Sequence, residues 1–138
     1  LSGGLHMALA AMKAKGDAKS ETKMIGVTAL TSLSDDDCMN IFGCSRSNQI
    51  SRLKEIGLQS NIDGYVCSGY DINSLKSDNK IFVTPGIRID GNSHDHNKVL
   101  SPSDAIKLGA NYLVIGRNIT ESNNPNDILM KINRDFTM

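Results

Sequence analysis

Phe82-Val83-Thr84-Pro85-Gly86-Ile87-Arg88 and, further along, Tyr112-Leu113-Val114-Ile115-Gly116-Arg117 are two short apolar runs that break at glycine and then present a guanidinium. Each run is too short for a helix of ordinary length, and its glycine boundary reads as the end of a strand buried on both faces. Between them, Ser101-Pro102-Ser103-Asp104 opens a helix, with Ser101 as N-cap, proline at the first helical position and acid in the first turn. The unit is strand, helix, parallel strand. It leaves Arg88 and Arg117 just past two strand ends.

Working outward, the same grammar repeats. Leu1-Ser2-Gly3-Gly4 reads as a turn into a helix whose Leu5, Ala8, Leu9 and Met12 share a face and which closes at Gly16. Met24 to Leu30, extended by Thr31 and Ser32, reads as a strand, and Ser34 before three aspartates caps a helix that ends by Gly43. A further helix from about Asn48 to Ile56 stops at Gly57, a strand covers Asp63 to Ser68, and a short helical turn lies near Asn73 to Lys76. Asn124 caps a last helix started by Pro125, with Ile128, Leu129, Ile132 and Phe136 on one face. Strands near Met24, Tyr65, Ile81 and Tyr112, each followed by helix, make a βα series in one α/β domain spanning residues 1–138. An open doubly wound sheet and a (β/α)8 barrel both accept such a series. The barrel is favoured because barrels commonly hold phosphate in the loops after their last two strands, where the two arginines fall. Such a barrel usually takes about 250 residues, so four strands here imply a partial barrel.

Composition narrows the function classes. Fifteen basic and fifteen acidic side chains cancel in 138 residues, so no overall field draws the chain to nucleic acid or membrane, and any anion site is local. Hydrophobic content of 39% with 22% charge is ordinary for a soluble globular domain. No apolar run approaches bilayer-spanning length and no secretory leader pattern is present, which reads as a cytoplasmic protein. Cys38, Cys44 and Cys67 lack the paired spacing of a zinc or redox motif and suit a reducing compartment as free thiols, Cys67 packed in a strand.

Gly26-Val27-Thr28-Ala29-Leu30-Thr31-Ser32, Asp63-Gly64-Tyr65-Val66-Cys67-Ser68, Val83-Thr84-Pro85-Gly86-Ile87-Arg88 and Val114-Ile115-Gly116-Arg117-Asn118-Ile119-Thr120 resemble, in order and spacing, the later strands of the bacterial orotidine 5'-phosphate decarboxylase family. Ser2-Gly3-Gly4 looks like the end of that family's fourth strand. The resemblance covers essentially the whole chain and implies the last four β/α units of a TIM barrel. It also implies a cofactor-free reaction in pyrimidine biosynthesis, orotidine 5'-phosphate to uridine 5'-phosphate and carbon dioxide. The family's Asp-x-Lys-x-x-Asp signature, which supplies the catalytic lysine and aspartates, falls before Leu1, so no catalytic residue is assigned to this chain. There the lysine ammonium stabilises charge left on a ring carbon and later supplies the proton. The family is usually dimeric, with sites completed across the interface, and a homodimer is implied for the full-length protein.

By the same resemblance, Arg88 and Arg117 hold the substrate phosphate, a task that suits an always-charged fork of donors. Gly116 lets the backbone approach the same oxygens, and Thr31 meets the pyrimidine edge. Read from the residues alone, a loop arginine is most often a solvated charge, and Thr31 a strand-end hydroxyl bonded to nearby backbone. The segment Ile89 to Leu100 departs from the family pattern: His96 stands where a bridging glutamine is found, and the loop is one residue shorter. A histidine can donate to a phosphate oxygen. His94, Asp95 and His96 could also be read as metal ligands, but one glycine-bearing loop does not preorganise such a site, and no metal is assigned. Two other functions stay open: a neighbouring sugar-phosphate enzyme of the superfamily that uses magnesium, and a non-catalytic phosphate-binding module from a truncated gene. The wording Thr84-Pro85-Gly86-Ile87-Arg88 argues against the first.

Overall fold

The computed structural model describes residues 1–77, 79–89 and 100–135. Helix α1 (Gly4–Asp17) is followed by strand β1 (Ile25–Val27), helices α2 (Asp35–Phe42) and α3 (Arg46–Gln59), and strand β2 (Gly64–Val66). A 3₁₀ turn (Gly69–Asp71) runs into α4 (Ile72–Leu75), then come β3 (Ile81–Thr84), α5 (Pro102–Lys107), β4 (Tyr112–Leu113), α6 (Arg117–Thr120) and α7 (Pro125–Asp135).

All strand pairs are parallel, and the sheet order is β1-β2-β3-β4, so each strand lies beside the next one in sequence. A doubly wound sheet reverses its order at a switch point; this one does not. Right-handed crossovers that always step the same way put every connecting helix on one face. That is the geometry of part of a (β/α)8 barrel, and it decides between the two architectures the sequence allows.

The register assigns the faces. Gly26 pairs with Tyr65 and Tyr65 with Phe82. The Tyr65 and Phe82 rings stack at 6.3 Å, and Tyr65 Oη donates to the Lys54 carbonyl of α3, so this row faces the helices. Cys67 and Thr84 continue it, and Ile50, Ile62, Ile72, Leu75, Ala105 and Ala110 close the core around them. The opposite face is different. Val27 is 43% exposed, Tyr112 61% and Val114 51%. Strands buried on both faces were expected, and this face corrects that. Among the described residues the apolar side chains of β1 and β4 that alternate away from the helices have no layer over them.

Several boundaries move for local reasons. The strands are shorter than their apolar runs. Beyond Val27 the ladder gains one bond, Thr28 N–H to the Val66 carbonyl, before the chain turns at Leu30–Leu33, so Thr31 and Ser32 lie in a turn. β4 likewise gains one bond, from the Val114 amide to the Thr84 carbonyl. Ser34 and Asp37 form a reciprocal capping box, Gly43 ends α2 in the left-handed conformation, and Ser101 and Pro102 start α5 as read. In α1 the buried stripe runs through Leu5, Ala8, Met12 and Lys15, while Leu9 falls off it and is exposed; Gly16 lies inside the helix, which ends at Asp17. In α7, Ile132 is buried and Leu129 exposed; Phe136 lies outside the described residues. No helix among the described residues is long and apolar enough to cross a membrane.

Gly57 does not terminate α3, which runs on to Gln59. Its missing side chain is a packing requirement: a Cβ there would stand 2.5 Å from Tyr65 Oη and 2.6 Å from the ring. Helix propensity alone favours alanine over glycine by about 1 kcal/mol. The ring is fully buried and cannot give way. Gly57→Ala is therefore expected to destabilise the chain, read as a lower denaturation midpoint, and a raised midpoint would contradict this packing.

Asp63, just before β2, accepts from Lys15 Nζ at 2.7 Å and from the Met24 amide at 2.7 Å, tying α1 and the start of β1 to β2. The Lys15 hydrogen bond holds its carboxyl below the usual range. A depressed folded pKa contributes stability that is present above the unfolded value, near 3.9, and is lost as pH falls through the folded one. Asp63→Asn is expected to remove that acid-limb dependence, and an unchanged pH profile of unfolding below about pH 5 would rule it out.

Candidate functional site

Because the sheet is parallel, the loops after β1, β2, β3 and β4 all leave from the same end. Crevices outside the carboxyl ends of parallel strands are where α/β folds place ligands. Arg88 reaches that end through Thr84-Pro85-Gly86. Gly86 takes a positive φ of 78°, a turn conformation that costs glycine nothing. Ile87 is buried and bridges to Leu100, whose carbonyl accepts the Arg88 amide at 3.0 Å. The backbone around Arg88 is thus pinned while its side chain is exposed. Arg117 opens the single turn α6, closed by the Gly116 carbonyl accepting from Ile119 at 2.8 Å and from Thr120 at 3.1 Å.

Arg88 and Arg117 line one cavity of about 360 Å³ together with Gly86, Ile87, Val114, Gly116, Asn118 and Glu121. Among the described residues neither guanidinium is engaged in an ion pair. Gly116 forms part of the wall, and a Cβ added there would meet no atom within 4 Å. Its lack of a side chain answers no packing demand among the described residues and leaves the cavity wall open at that point.

Arg46 provides the contrast. It was not singled out in the sequence, yet it makes a bidentate pair with Asp71, Nη1 to Oδ1 at 2.9 Å and Nη2 to Oδ2 at 2.7 Å. Its amide donates to Asp35 Oδ1 at 2.8 Å. The Asp71 hydrogen bonds raise the guanidinium pKa further above its ordinary value. The pair ties the turn after β2 to the start of α3 and faces a cavity of about 280 Å³. Its charge is already matched, so it offers an incoming anion little, whereas Arg88 and Arg117 have no such match among the described residues. Residues 46 and 71 are too far apart in sequence for any local pattern to have linked them.

Thr31 lies apart from the arginines. It lines a cavity of about 110 Å³ with Val27, Ala29, Leu30, Ser32, Val66, Cys67 and Pro85. The two cavities meet along the chain, Pro85 bordering one and Gly86 the other. The strand-end threonine bonded to backbone is Thr28, whose Oγ1 donates to the Val66 carbonyl at 3.0 Å. His96, with His94 and Asp95, lies outside the described residues; the structure brings Arg88, Gly116 and Arg117 to one cavity and places Thr31 on a separate, neighbouring one. Asn118 and Glu121 were missed. The signal for Glu121 was its spacing of four from Arg117, usable only once that segment is known to be helical.

The remaining titratable groups near this end do not compete as chemistry. Cys38, Cys44 and Cys67 are buried and free. Burial pushes the Cys67 thiol up to about 12, so it is protonated at neutral pH and unsuited to nucleophilic attack. Among the described residues no group of three or more His, Cys, Asp or Glu is placed to hold a metal ion. A larger cavity, about 520 Å³, opens near the amino end of β3, between Lys76, Lys80, Phe82 and Asn111. That is the end of such sheets where conserved features serve stability.

Comparison with known proteins adds the following. The model of the orotidine 5'-phosphate decarboxylase / HUMPS family matches residues 2–132. The orotidine 5'-phosphate decarboxylase of Neisseria meningitidis serogroup C is 36% identical over 96% of this chain and 56% of its own length. That of Actinobacillus succinogenes is 41% identical over 96% of this chain and 60% of its own. The crystal structure of orotidine 5'-phosphate decarboxylase from Lactobacillus acidophilus superimposes with a TM-score of 0.69 at 31% identity, covering 86% of this chain and 51% of that one. The chain thus spans somewhat more than half the length of the curated relatives it matches.

Proposed function

Since the chain belongs to the orotidine 5'-phosphate decarboxylase / HUMPS family, we propose that residues 1–138 are the C-terminal half of a single barrel domain. In its complete form that domain converts orotidine 5'-phosphate to uridine 5'-phosphate and carbon dioxide. The observation that carries this reading is the convergence of Arg88 and Arg117, unmatched by any carboxylate partner among the described residues, on one cavity at the carboxyl end of the sheet.

In this reading the half-barrel grips and the missing half reacts. Arg88 and Arg117 fork onto the phosphate oxygens, and Gly116 admits the phosphate close to the backbone. Thr31, in the neighbouring cavity, meets the pyrimidine edge, and His96 supplies a further donor to the phosphate. Phosphate binding contributes to the rate because energy from a remote, unreacting group positions the ring at the reacting centre. The lysine and aspartates that act on the ring come from the upstream strands, and no metal or organic cofactor is required. The exposed apolar face of Val27, Tyr112 and Val114, together with the outer edges of β1 and β4, against which no further strand is laid among the described residues, is where those strands would close the barrel. The completed protein acts in the cytoplasm as a homodimer.

Two outcomes follow. When the chain is joined to upstream β/α units carrying the Asp-x-Lys-x-x-Asp signature, it decarboxylates orotidine 5'-phosphate. Arg117→Ala in that protein raises KM roughly 30-fold or more, the loss of a charge-assisted anion contact of about 2 kcal/mol or greater, and a normal KM would refute the assignment. The 138-residue chain by itself is expected to be inactive. Decarboxylation above background by the purified chain would show that the upstream half is not needed.

A further inference from the structure

Glu121 stands on the wall of the cavity that holds Arg88 and Arg117, where a carboxylate works against an incoming anion. Local backbone geometry delivers it there. The Glu121 amide closes the turn of α6 on the Arg117 carbonyl at 3.0 Å, and residues four apart on a helical turn share a side. Glu121 therefore shares the cavity wall with Arg117. Yet the two do not pair: among the described residues no ion pair joins Glu121 to Arg117 or to Arg88. Comparable short-range pairs elsewhere do close, Lys13 with Asp17 and Lys107 with Asp104. Among the described residues the wall thus carries two positive charges and one negative charge that pairs with neither.

We propose that Glu121, a negative charge on the cavity wall, opposes an incoming anion directly and so weakens the site's hold on phosphate. The proposal rests on the phosphate reading of this cavity. A bare phosphate binds through this cavity alone and is held more weakly, whereas a nucleotide keeps its additional contacts at the pyrimidine end. Opposition to the ligand scales with ligand charge, so a phosphate dianion feels Glu121 more than a monoanion does. The weakened grip also favours departure of a phosphorylated product, since affinity differences within one site reside mainly in the dissociation rate.

The test uses the barrel-completed protein with inorganic phosphate and uridine 5'-phosphate as competitive inhibitors. Glu121→Gln, uncharged and nearly isosteric, is expected to tighten both inhibition constants about two- to five-fold, the range spanned by exposed charge pairs. The gain is larger at pH 8 than at pH 5.5, since a phosphate monoester loses its second proton near pH 6. In an Arg117→Ala background the gain persists, because Glu121 acts on the ligand and not through Arg117. Unchanged or weaker inhibition in Glu121→Gln overturns the proposal, as does a gain that disappears without Arg117. Inhibition constants left at the wild-type value by Arg117→Ala alone overturn the phosphate reading instead, so the two failures are told apart.

Discussion

The structure depends on a directional constraint: four parallel strands laid side by side in sequence order, with crossovers that can turn only to the right. From this follow the single helical layer, the core built on Tyr65, Phe82, Cys67 and Thr84, and the shared end from which every βα loop departs. Residues 88 and 117 are brought to one cavity by this rule rather than by attraction, since like charges do not seek each other. What holds them is backbone: the Ile87–Leu100 bridge on one side and the Gly116 carbonyl at the start of α6 on the other. A cationic site on a chain of zero net formal charge is thus maintained by the sheet, and its field is local.

The three arginines discussed divide by how their charge is matched. Arg46 is partly buried and finds Asp71 in a two-point contact, which anchors a loop to a helix. Breaking such a pair strands a charge, whereas keeping it adds little net stability because both ions were desolvated to form it. Arg88 and Arg117 remain exposed at their cavity with no ion-pair partner among the described residues, so their charge stays available. The same side chain serves scaffold in one setting and recognition in the other, and burial with a fixed partner makes the difference. Glu121 sharpens the point, because its spacing from Arg117 would suit a helix-surface ion pair and the pair is not made.

Much of the chain was legible residue by residue. Ser34 with Asp37 and Ser101 with Pro102 mark helix starts because the hydroxyl accepts from the free amides of the first turn, a bond within reach of a few residues, whereas α3, expected from about Asn48, starts at Arg46 behind a cap, Ser45, that was not read. Glycine was less informative. Gly43 ends its helix in the left-handed conformation, but Gly57 continues through one because the Tyr65 ring occupies the space its side chain would need. The same letter reports backbone freedom in one place and a long-range contact in the other, and only the second depends on a residue from another element. Strand length was over-read for a related reason. Apolar character runs on through Ala29 and Leu30, but the ladder stops where β2 can no longer supply partners.

By itself the sequence determined the alternation of strand and helix, the starts of most helices, and the position of Arg88 and Arg117 just past strand ends, because each of these is set by bonds and periodicities local to the chain. The order of the strands was decided only in three dimensions, and with it the choice of barrel segment over doubly wound sheet and the exposed second face. So were the pairing of Arg46 with Asp71, the tight fit of Gly57 on Tyr65, and the arrival of Asn118 and Glu121 beside the two arginines. These depend on which distant segments share a face, and register fixes that: displacing one strand by a single residue would turn its side chains to the opposite side.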